Sequence, residues 1–158
     1  MKEIKIGLLG LGNIGTGTYK ALEMNREIIE KELDAKVNIT KILEKDIDRE
    51  RDITVTREQF VSDPEDIFKD PEIDIVIELL GGVEPAASFM EAALLAGKHV
   101  VTANKAAVAA NWPRLNEAAK KGGAQFRFEA SVGGGIPVLT ALAGPARANQ
   151  STEVLGIV

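Results

Sequence analysis

Gly10, Gly12 and Gly15 stand as G-x-G-x-x-G directly after an apolar run of Ile4, Ile6, Leu8 and Leu9. That spacing suits a dinucleotide. Gly10 permits a tight turn, Gly12 has no Cβ to hold a pyrophosphate away from the backbone, and Gly15 lets a following helix pack closely on the strand. The helix start adds unpaired N–H groups and the positive end of a dipole. Further on, Glu44 and Lys45 lie side by side where a second strand ends. An acid there holds the 2′-hydroxyl of NAD, whereas a cation accommodates the 2′-phosphate of NADP. Lys105, in Thr102-Ala103-Asn104-Lys105, is a cation able to stabilise developing alkoxide charge or exchange a proton. A solvated loop lysine is the alternative that its spacing also allows. The single histidine, His99, falls at the start of a strand, away from the ends where ligands bind, which predicts a structural or surface role. Cysteine is absent, so neither disulfides nor thiol chemistry arise.

Strands must carry these residues to one edge. After Gly15 a helical pattern runs, with a break, to about Leu33, its later part heavily charged. Val37 to Leu43 alternates as a second strand, and Ile53 and Val55 suggest a short edge strand. Ser62-Asp63-Pro64-Glu65 opens a short helix that turns Ile67 and Phe68 to the core. Ile73 to Leu80 reads as a central strand ending at Gly81-Gly82, where simple turn chemistry is the alternative to a ligand-facing role for the two glycines. Glu84-Pro85 starts the next helix, Gly97 ends it, and His99 to Thr102 is the next strand. Trp112 reads as packing at the entry of a helix from Pro113 to Lys121. Ala124 to Glu129 alternates as a strand, Ser131 to Gly135 is a glycine-rich loop, Ile136 to Leu142 is helical, and Thr152 to Val158 starts another strand.

Alternating strands and helices predict an α/β fold, a doubly wound Rossmann-type parallel sheet with helices on both faces. The candidate residues then gather at the carboxyl ends of the strands, beside the topological switch point. The composition, 45% hydrophobic and 27% charged over 158 residues, is that of one globular domain. A net charge of −5 argues against a nucleic-acid surface. No apolar run approaches the roughly 20 residues of a membrane helix, and Met1 to Glu3 lead straight into the first strand without a signal peptide.

GLLGLGNIGTG, IELLGG, GKHVVTANKAAVA, FEASVGGGIPVL and the final GIV, in this order and spacing, resemble the N-terminal half of homoserine dehydrogenase. VVTANK and EASVGGGIP are far more specific than the glycine motif. The resemblance implies reversible oxidation of homoserine to aspartate 4-semialdehyde with NAD(P), in a cytoplasmic, usually homodimeric enzyme of threonine, methionine and isoleucine synthesis. It assigns Gly10, Gly12, Asn13, Ile14 and Gly15 to the pyrophosphate. Lys45 matches a basic position facing the 2′-phosphate, while Glu44 stands where an apolar residue is common. Gly81 is counted among the cofactor-binding residues, and Thr102 and Lys105 fall beside the nicotinamide and substrate, with Lys105 catalytic. Glu129, Val132, Gly134 and Ile136 match a monovalent-cation site built largely from backbone carbonyls, suited to sodium. The family continues beyond GIV into a substrate and dimerisation domain with a second lysine. Residues 1–158 are therefore expected to be an NAD(P)-binding domain that holds cofactor but is inactive alone. A stand-alone NAD(P)-sensing or interaction module is the other reading, opposed by the retained TANK and EASVGGGIP segments.

Overall fold

In the computed structural model, which describes residues 2–146, the first apolar run forms strand β1 (Lys2–Leu9). Helix α1 (Asn13–Met24) follows the glycine turn and breaks at Asn25 before α2 (Arg26–Leu33). Then come β2 (Ala35–Leu43), a 3₁₀ turn (Arg57–Gln59), β3 (Phe60–Val61) and α3 (Glu65–Phe68). They are followed by β4 (Ile75–Glu78), α4 (Ala86–Leu95), β5 (His99–Thr102) and α5 (Lys105–Gly122). β6 (Phe126–Arg127), α6 (Glu129–Val132) and α7 (Val138–Ala146) end the described part. All strand pairs are parallel, in the order β3-β2-β1-β4-β5-β6. From β1 the chain winds outward to β3, then crosses to β4 on the other side of β1. This is the doubly wound arrangement, with its switch point between β1 and β4.

Alternation along β1 sends neighbouring leucines to opposite faces. Leu9 joins Ile67, Phe68, Val76, Met90, Leu94 and Leu115 beneath α3, α4 and α5. Leu8 joins Leu11, Tyr19 and Ile42 on the α1 face. No Cβ fits at Gly7, where it would lie 2.5 Å from Ile67 Cγ2, so α3 rests directly on the strand.

Several expected elements are redrawn. Ile53 and Val55 form no strand. They pack on the smaller core from an irregular segment, and the edge strand is Phe60–Val61. The strand expected over Ala124 to Glu129 pairs only at Phe126 and Arg127. Phe128 then leaves the sheet to meet Trp112 edge-on at 4.8 Å, and Glu129 begins α6. The helix expected from Pro113 already starts at Lys105 and is kinked at Asn111 (φ −127°, ψ 17°). Pro113 supplies no N–H and its ring crowds the preceding turn, which accounts for the kink. α7 begins two residues later than the helix expected from Ile136. The strand expected over Thr152 to Val158 lies outside the described residues.

Candidate functional site

Leu43, Leu9, Glu78 and Thr102 stand in register across β2, β1, β4 and β5. Every segment that follows them therefore emerges on one edge of the sheet. After Leu9 the chain turns at Gly10 (φ 93°), whose N–H donates to the Leu43 carbonyl at 2.9 Å. A Cβ at Gly15 would sit 2.2 Å from the Gly10 carbonyl oxygen, so α1 is pressed against the turn. Gly12 differs, because nothing lies within 4 Å of the Cβ it lacks. It is the N-cap of α1, no side chain caps that end, and the first turn has no acid. The first-turn N–H groups of Asn13, Ile14 and Gly15 are thus presented over open space at the positive end of a helix. This arrangement fits a pyrophosphate.

Two clefts open at the same edge of the sheet. The larger, of about 760 Å³, is lined among others by Leu43, Glu44, Lys45, Phe60, Leu80 and Gly81. The smaller, of about 270 Å³, is lined by Ile14, Leu79, Leu80, Gly82, Ala103, Asn104, Lys105 and Ala106. Ile14 is 63% exposed, an apolar side chain held out over the smaller cleft. Lys105 is exposed at the first position of α5. The candidate cofactor residues thus divide, with Lys45 and Gly81 at the larger cleft and Ile14 and Lys105 at the smaller.

Thr102 is not in either cleft. Its side chain is buried, and its hydroxyl donates to Glu78 Oε2 at 2.5 Å while accepting the Asn104 N–H at 2.9 Å. Glu78 also accepts the Leu80 N–H at 2.7 Å. Asn104 caps α5 by accepting the Ala107 N–H, and its amide donates to the carbonyls of Leu80 and Gly82. This network ties the ends of β4 and β5 together and fixes where Lys105 begins its helix. Burial pushes the Glu78 carboxyl above the usual range, further than its bonds from Thr102, Leu80 and Asn104 pull it down.

Glu44 is drawn into the fold as well. Its carboxylate accepts N–H groups from Leu11, Lys45 and Asp46, and Arg51 stands 3.8 Å away. Arg49 reaches across to Asn13 Oδ1 at 2.9 Å. His99 is exposed, and its Nδ1 accepts the Gln125 N–H at 3.0 Å, a structural role at the opposite edge of the sheet.

Glu129, Val132, Gly134 and Ile136 fall on α6 and the turn after it. The Glu129 carboxylate accepts the N–H groups of Leu139 and Thr140 and the Thr140 hydroxyl, capping α7. The Ile136 carbonyl accepts the Val138 N–H at 2.8 Å. These residues fit a cation only in part, since the carboxylate already serves the helix. Among the described residues no cluster of three His, Cys, Asp or Glu side chains could hold a metal. No described helix is long and apolar enough to cross a membrane.

Arg49, Arg51 and Glu78 escape sequence reasoning. Glu78 alone carries a signal, a carboxylate inside the apolar run IDIVIELL, which must find partners when buried. The two arginines sit in a mixed-charge stretch that gives no sign of where they return.

Residues 10–129 match the family model of the homoserine dehydrogenase NAD binding domain. The chain belongs to the homoserine dehydrogenase family. It is 39% identical to the homoserine dehydrogenase of Bacillus subtilis over 158 residues, all of this chain and 36% of that protein. The crystal structure of a homoserine dehydrogenase from Thiobacillus denitrificans superposes with a TM-score of 0.83 at 38% identity, covering 94% of this chain and 34% of that one. A hyperthermophilic archaeal homoserine dehydrogenase in complex with NADPH shares the fold, with a TM-score of 0.71 at 20% identity over 89% of this chain and 48% of that one. The chain spans about a third of the length of the first two relatives, as their N-terminal, NAD-binding part. The resemblance carried by VVTANK and EASVGGGIP holds at the level of the family.

Proposed function

We propose that residues 1–158 bind NAD(P) as the dinucleotide domain of an enzyme that interconverts L-homoserine and L-aspartate 4-semialdehyde. The observation that carries this is the uncapped N-terminus of α1, whose Ile14 lines the same cleft as Lys105. A bound nicotinamide accepts and returns the hydride. The rest is the work of side chains and backbone. The N–H groups of Asn13, Ile14 and Gly15 hold the pyrophosphate, and Gly12 allows it to approach. Lys45 and Gly81 line the adenosine side. Ile14 forms an apolar wall on the reactive side. Lys105 stands by the reacting oxygen, stabilises its developing charge and takes or returns the hydroxyl proton. Thr102 acts from inside, by holding Asn104 and through it the start of α5.

The complete enzyme is proposed to work in the cytoplasm as a homodimer in threonine, methionine and isoleucine synthesis, with the homoserine amine and a second lysine handled by a further domain. A sodium ion at Glu129, Val132, Gly134 and Ile136 would use carbonyl lone pairs beside the existing helix cap. A sensing module without chemistry would have no use for Lys105 at the smaller cleft. Calorimetric titration of the chain with NADH and NADPH tests the reading. Binding of at least one, lost in a folded Gly12→Val variant, is expected. Binding of neither, or undiminished binding in that variant, would overturn it.

A further inference from the structure

The adenosine side of the proposed site holds a carboxylate that the binding role of the glycines does not explain. Glu44 turns toward the glycine loop instead of into solvent. Its Oε2 accepts the Leu11 N–H at 2.7 Å, and its Oε1 accepts those of Lys45 at 2.8 Å and Asp46 at 3.0 Å. The side chain is 16% exposed and lines the larger cleft. Burial opposes its ionisation, but the N–H groups of Asp46, Leu11 and Lys45 and the charge of Arg51 outweigh that and hold its carboxyl below the usual range. A fixed carboxylate therefore stands where the end of β2 meets the loop, ionised and with the Arg51 guanidinium 3.8 Å from it.

The neighbouring guanidinium groups are already engaged. Arg51 is 7% exposed, and its Nε, Nη1 and Nη2 donate to the carbonyls of Leu11, Arg49 and Asp46. Arg49 donates to the Asn13 side chain. Lys45 also lines the cleft, but it is an exposed, strongly hydrated ammonium on a flexible stem, screened by salt more than Glu44 is.

We infer that Glu44 makes this chain select NAD(H) over NADP(H), accepting the ribose hydroxyls of the first and repelling the 2′-phosphate of the second. The inference rests on the dinucleotide reading above. An acid closing the second strand of such a fold is the known partner of a free 2′-hydroxyl. Here the geometry shows that it is Glu44, and not the adjacent Lys45, that is held rigidly against the loop. The two opposite charges are not equivalent, because a partly buried, immobile charge acts through a lower effective dielectric than a solvated one.

The test measures dissociation constants of NADH and NADPH by fluorescence titration at one ionic strength, for the unaltered chain, Glu44→Gln and Lys45→Ala, with circular dichroism as a check on folding. The unaltered chain should bind NADH on the order of tenfold more tightly or better, an effect of the size that one close charge pair supplies. Glu44→Gln keeps an acceptor for Leu11 but removes the charge. It should bring the ratio down by a similar factor, chiefly through tighter NADPH binding. Lys45→Ala should leave NADH preferred. Equal or tighter NADPH binding by the unaltered chain would overturn the inference, whatever the variants do, and so would a ratio unmoved in a folded Glu44→Gln. Failure to bind either dinucleotide would be a different result, overturning the cofactor reading itself and this inference with it.

Discussion

Gly12 and Gly15 belong to one motif but exclude a side chain for opposite reasons. At Gly15 the fold itself leaves no room, since the Cβ would lie 2.2 Å from a backbone oxygen. Gly15→Ala should lower stability by about 1–3 kcal/mol, the usual range for overpacking, and urea unfolding would register it. At Gly12 the space is open, so Gly12→Val should keep the midpoint near that of the parent while dinucleotide binding disappears. The two carboxylates at the strand ends, Glu78 buried and Glu44 partly so, also diverge. Glu78 titrates above its unfolded value, so the unfolded chain gives up that proton first. Between the two pKa values folding then carries the extra proton, and stability falls as pH rises through that window. Glu78→Gln cannot ionise and should remove this slope. Denaturant melts at a series of pH values from 4 upward should show its advantage growing with pH, and parallel curves would contradict the account. Lys105 is exposed at a helix start, so Lys105→Ala should leave the fold intact. In the complete enzyme it should lower kcat on the order of 10²-fold or more, read from NAD(P)H absorbance with homoserine.

The elements that position the site were the most legible part of the sequence. The run from Ile4 to Gly15 states a strand, a turn and a helix, because a buried parallel strand is continuously apolar and the turn demands glycine. Ile73 to Leu80 is legible on the same ground. Elements whose signals are set by distant partners were not. Ile53 and Val55 alternate as a strand would, yet no neighbour pairs with them, and they serve as a lid on Tyr19. Phe126 and Phe128 alternate too, but stacking with Trp112 ends the strand after two residues. The first half of α5 is hidden because Pro113 looks like a beginning when it stands in the middle. The candidate site shows the same division. Gly10, Gly12 and Lys105 can be read from spacing, whereas the inward turn of Thr102 and the pinning of Glu44 depend on bonds that close only in three dimensions. One element can be improved without touching the site. Gly17 lies exposed inside α1, with nothing within 4 Å of a Cβ. Gly17→Ala should raise stability by about 0.5–1 kcal/mol through the smaller entropy loss of alanine, visible as a higher melting temperature with cofactor affinity unchanged.

At the scale of the whole molecule, β1 is the earliest of the described strands and also the axis of the sheet. It has β2 on one side and β4 on the other. The pairing with β4 includes bonds between Lys5 and Asp74 in both directions, across 69 residues of sequence. In synthesis β1 therefore precedes β4, and it waits for that partner until α1, α2, β2, β3 and α3 have been made. Until then one edge of a hydrophobic strand is open to any extended neighbour, the situation in which newly made chains stick to one another. The arrangement that brings every ligand-facing loop to one edge thus also leaves the central strand half-paired while the intervening chain is made.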